Sequence, residues 1–242
     1  MLKLFQVEWI TLIKMKAVKL SFMGIFFISF ALNLQYLTDK TPAFEGLFNG
    51  AMVINLLSAA VGGLVLNNDF AQNTIRNKII IGYSRTTIAL VKTLIITTYY
   101  LLMAIIAFIP ALIIHCGMLE TKDVVWEAVN KGFVLTGLNI LINVGITMLL
   151  GLSARSVFGV VLPVFLFESI PVSGLLLAEV LSVSESAKGL FEFVQAIPNI
   201  EIMMLSPYVI PANMDLSFVI TGVLTSICLL LSLYVFNKAE LN

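Results

Sequence analysis

The chain is 242 residues long, 60% hydrophobic and only 12% charged, with 14 basic and 14 acidic residues that cancel. A soluble domain carries about 45–50% apolar and about 25% charged residues, and one of this size could not keep so much apolar surface from water. Zero net charge leaves no basic footprint for nucleic acid, so no nucleic-acid partner is expected.

The stretch before the first apolar run carries Lys3, Lys14, Lys16 and Lys19 but no short apolar segment with a small-residue cleavage site. The whole chain is therefore read as mature protein. Within residues 1–19, Leu2, Phe5, Trp9, Leu12 and Ile13 share one side of a helix, which predicts an amphipathic helix lying in a membrane interface.

A helix needs about 20 apolar residues to cross about 30 Å of hydrocarbon. Six runs qualify, at 20–37, 47–66, 88–114, 133–152, 157–177 and 216–236. Strand alternation is missing from them, so the expected fold is an all-α bundle of six transmembrane helices forming one domain. With the N-terminus inside, ten of the fourteen Lys and Arg residues fall on the inner side. Only Lys40, Lys122, Lys131 and Lys188 fall outside, which predicts that both termini face the cytoplasm. The segment 182–215 between the last two runs has apolar stretches broken by Pro198 and Pro207. It suits short outer helices that dip into the membrane or cap the bundle.

Few residues in this chain point to chemistry of its own. His115 is the one histidine, which excludes a His-pair metal site within the chain, and Cys116 and Cys228 fit no metal spacing. Neither a phosphate-binding Gly-x-x-x-x-Gly-Lys-Ser/Thr loop nor a Gly-x-Ser-x-Gly elbow occurs. This inventory offers no catalytic residue, metal site or nucleotide site, so an enzymatic activity of the chain itself is not expected. Glu168, between Pro163 and Pro171, is the one acid inside a run and a candidate pathway residue, or else a solvated group near the outer interface. Thr136, Asn139, Asn143 and Thr147 share a helical face that either lines a pathway or holds helices together. Ser58, Ala59, Gly62 and Gly63 allow close backbone approach, within one bundle or across a dimer.

The segment 68–92 is the most informative. Asn68 or Asp69 can cap a short inner helix over 68–82, Gly82 suits the position past its end, and Ser84 can cap the next span. Asp69-Phe70, Asn73-Thr74-Ile75-Arg76, Gly82, Ser84-Arg85 and Lys92 resemble the segment after the second span of ABC-2 type transporter permeases. Asp69 stands where that family commonly has glutamate, and Asn73 where it commonly has glycine.

The resemblance implies that 68–82 is a coupling helix docking on a separate ABC ATP-binding subunit through Asp69, Phe70, Asn73, Thr74, Ile75, Arg76 and Arg85. It places Arg155 in a second coupling loop. It further implies ATP and magnesium on the partner subunit, a second six-span permease subunit, and a bacterial cytoplasmic membrane. Its small-permease branch implies export of amphipathic or antimicrobial-type peptides. An ion-gradient-driven carrier or channel and a non-transporting scaffold or sensor are the competing expectations.

Overall fold

The computed structural model describes residues 1–38, 48, 51–72, 74–118, 126–154, 156–166, 197 and 214–238. In chain order the helices are α1 (Leu2–Lys14), α2 (Lys16–Thr38), α3 (Ala51–Ala71), α4 (Thr74–Ile80), α5 (Arg85–Met118), α6 (Trp126–Ala154), α7 (Val157–Leu166) and α8 (Met214–Lys238). The described residues are helical with no strand among them. Five of the helices, α2, α3, α5, α6 and α8, are long and apolar enough to cross a membrane, as a multi-pass membrane protein requires.

Local chemistry fixes the joints. Met15 is extended (φ −66°, ψ 130°), which ends α1 before the first span starts at Lys16. The expected 1–19 helix is thus shorter by one turn. Gly82 closes α4 with φ +105°, a left-handed conformation that side chains resist. There the Gly82 N–H donates to the Ile79 carbonyl at 2.9 Å, and the Tyr83 N–H donates to that of Lys78 at 3.1 Å. Ser84 Oγ accepts from the Thr87 N–H at 3.1 Å and so caps α5. Ser156 does the same for α7 through the Gly159 N–H.

Helix α6 is the axis of the bundle, packed against α3, α5 and α8. Backbones meet closely where α3 carries glycine. A side chain on Gly62 would strike Thr147 of α6, and one on Gly63 would lie 3.3 Å from the Val157 Cα of α7. Ala59 joins Val160 and Val164 in the same seam. The small residues of α3 therefore serve packing inside this bundle.

One end of the bundle gathers α1, the finish of α3, α4 and the start of α5, with α8 ending beside Arg85. At the other end Phe48, Phe108 and Phe133 meet edge-on, with Val129, Leu135 and Met214 around them. Of the expected span 157–177, residues up to Leu166 form α7, and 167–177 lie outside the described residues. So does 182–215, apart from Ile197, Met214 and Asp215.

Candidate functional site

At the α4 end, four charged side chains from four elements meet away from solvent. Glu8 comes from α1, Asp69 from the last turn of α3, Lys78 from α4 and Lys92 from the third turn of α5. Their side chains are only 4–15% exposed. One Glu8 oxygen pairs with Lys78, and the other accepts from Lys92 at 2.5 Å. Asp69 Oδ2 pairs with Lys92 and lies 3.3 Å from Lys78, while its Oδ1 accepts from the Thr74 hydroxyl at 2.7 Å. Each carboxylate thus faces both ammonium groups. The quartet is neutral, and the mutual pairing offsets the cost of taking four charges out of water.

The helices deliver these groups by simple periodicity. Leu4, Glu8 and Leu12 stand four apart and form the buried face of α1, with Phe5 and Trp9 packed beside them. Leu2 and Ile13, which share the apolar side expected to lie in a membrane interface, are not covered by protein. Asn68 and Asp69 continue α3 and do not cap a new helix, so α4 is a shorter element of seven residues. A cavity of about 320 Å³ lies beside the quartet, bounded by Thr11, Asn68, Gln72 and Thr74 among others.

The residues singled out in the sequence divide by direction. Ile75 is buried beneath α4, and Thr74 bonds Asp69. Phe70 meets Phe236 edge-on at 6.5 Å. Arg85 reaches back to the end of α8, where its guanidinium donates to the carbonyls of Phe236 (3.1 Å) and Asn237 (2.8 Å). A cation there also opposes the helix dipole. Among the described members of the set, Arg76 is the one that is exposed, next to the exposed Asn77, Ile80 and Ile81. Asn73, Arg155 and Glu168 lie outside the described residues.

Asn139 and Asn143 sit in the bundle interior, apart from the quartet, with the Asn143 amide donating to Asn139 Oδ1 at 2.9 Å. On the same face Thr147 bonds the Tyr100 hydroxyl of α5 at 2.8 Å. His115 is fully buried, and its Nε2–H donates to Asn33 Oδ1 at 2.8 Å. Among the described residues no group of three or more His, Cys, Asp or Glu side chains could hold a metal.

Glu8 and its pairing with Lys78 and Lys92 are the features that sequence reasoning missed. The available signal was an acid spaced four residues from both Leu4 and Leu12, in line with two apolar positions. Comparison of the chain with protein-family models, curated proteins and solved structures finds no match.

Proposed function

We propose that the chain is the membrane permease subunit of an ATP-driven ABC exporter of ABC-2 type. The observation that carries this reading is the mounting of α4. Its inner side is held by Ile75 and Lys78, and its outer side offers Arg76, Ile80 and Ile81. A partner pressing on that outer side moves Lys78, which grips Glu8 on α1 and Asp69 on α3. Lys92 passes the displacement into α5. Separating these charges would leave them buried and unpaired at a cost of about 3 kcal/mol or more, so the four elements move together.

In this reading ATP and magnesium belong to a separate ATP-binding subunit, and two six-span permease subunits form the pathway in a bacterial cytoplasmic membrane. The α4 end faces the cytoplasm, in keeping with the Lys and Arg bias. The sixth crossing is supported by parity. Helix α7 starts against Gly63 near the α4 end, whereas α8 starts at the opposite end, which favours a crossing that begins with α7. Export of amphipathic or antimicrobial-type peptides rests on the family resemblance alone.

The test is purification of the full chain from native membranes in mild detergent, with partners identified and ATPase activity assayed. An ATP-binding subunit in the eluate is the expected result. A chain that emerges alone, folded and without ATPase activity would refute the reading and favour an ion-driven carrier.

A further inference from the structure

Helix α1 has a second face. Away from the quartet, Leu2 and Phe5 face Val91 and Leu94 of α5 across an open groove of about 770 Å³, with Tyr83 and Lys3 also lining it. Leu2 is 77% exposed and Leu94 50%, so neither side chain is sheltered by protein. Among the described residues that line the groove, Lys3 carries the one charged side chain. The nearest acid along α1, Glu8, points the other way and is taken by Lys78 and Lys92.

Leu94 also begins a stripe. Leu101, Ile105 and Ile109 follow it on the same face of α5 and are likewise exposed. The groove is therefore continuous with a face of a candidate membrane span, and an occupant can enter it sideways from hydrocarbon. At 1.5 Å per residue, Leu94 lies about 14 Å along α5 from Arg85. That is the depth at which a headgroup gives way to acyl chains when the first turns of a long span project into the interface.

We infer that this groove holds an acyl chain of an anionic phospholipid, with Lys3 beside the lipid phosphate. Water gains nothing from the apolar walls, whereas a lipid already in the bilayer needs only lateral diffusion to fill them. A cation with no acid beside it favours a negative headgroup over a zwitterionic one. The inference rests on the chain lying in a membrane and is independent of any ATP-binding partner.

Native mass spectrometry of the full chain in mild detergent tests this, using phosphatidylglycerol and phosphatidylcholine with matched acyl chains. The expected result is one retained lipid, with about a fivefold preference for phosphatidylglycerol, the size of one basic residue's attraction. Lys3→Gln is expected to weaken the preference while lipid is still retained. Leu94→Trp, which narrows the groove, is expected to weaken retention of both lipids with helix content unchanged by circular dichroism. Equal retention by the parent chain, a preference undiminished by Lys3→Gln, or retention undiminished by Leu94→Trp would each overturn it. A dimer mass without bound lipid would do so as well, by making a second copy the occupant.

Discussion

Glu8 and Lys92 are 84 positions apart in the chain and meet at 2.5 Å, tying the N-terminal helix to the first turns of the longest span. Lys92 is held on its other side by Asp69, and Glu8 on its other side by Lys78. The arrangement is a closed ring of alternating charge, so the loss of one member leaves an excess of the opposite sign in a buried place.

Glu8→Gln is therefore expected to destabilise the protein by about 3 kcal/mol, read as a fall in detergent-phase melting temperature. Glu8→Gln combined with Lys92→Met restores neutrality. It is expected to cost clearly less than the sum of the two single changes in a double-mutant cycle. Additive costs would show that the two residues do not interact.

The glycines make a sharper contrast. A side chain at Gly62 meets Thr147 Cγ2 at 2.7 Å, and one at Gly63 meets Val157 Cα at 3.3 Å. Gly63→Val is expected to cost about 1–3 kcal/mol by overpacking the α3–α7 seam. Gly137→Ala and Gly222→Ala have nothing within 4 Å of the added carbon, and both lie within helices. They are expected to be neutral or to stabilise by up to about 1 kcal/mol. Thermal melts of the three variants check the ordering.

These cases show what was legible in the sequence. The five long helices could be read because hydropathy is a property of a single stretch of chain. Small residues at 58, 59, 62 and 63 announced a close approach but not its partner, since spacing says nothing about which backbone comes near. Which apolar residues of α1 pack on protein could not be read, for a physical reason. Beside a membrane both the protein-facing and the lipid-facing sides of a helix can be apolar, so Leu2 and Ile13 look like Leu4 and Leu12. The quartet was illegible because its members come from positions 8, 69, 78 and 92, and only packing brings them together. The start of α4 was misplaced because Asp69, a good capping residue, serves the lysines from the last turn of α3.

Arg85 is expected to act as a clamp on the end of α8. Arg85→Ala removes the donors to the Phe236 and Asn237 carbonyls. Hydrogen exchange over residues 230–238 should become faster, with little change in α6. Arg85→Lys should rescue much of it, because one nitrogen, Nη1, makes both contacts and an ammonium also carries several donors. Unchanged exchange in Arg85→Ala would show that the contact carries no load.

At the opposite end, Asn33 Oδ1 accepts a hydrogen bond from the His115 Nε2–H, and the Asn33 amide donates to the Ser29 carbonyl at 2.8 Å. Asn33→Ala removes the acceptor from a ring nitrogen that is wholly buried. The expected loss is about 1–3 kcal/mol, measured by thermal or denaturant unfolding in detergent. Loss of no more than a few tenths would mean that His115 finds another acceptor.

The central claim is that α4 receives an ATP-binding subunit on its exposed side. Site-specific photocrosslinking in native membranes tests it most directly, with a photoreactive residue placed in turn at Ile80, at Arg76 and at the membrane-facing Ile105. The account predicts a crosslinked ATP-binding protein from positions 80 and 76, lost when Arg76→Glu is combined with the probe at 80, and none from 105. Crosslinks from 80 and 76 to lipid alone, in cells that retain the chain's activity, would contradict it.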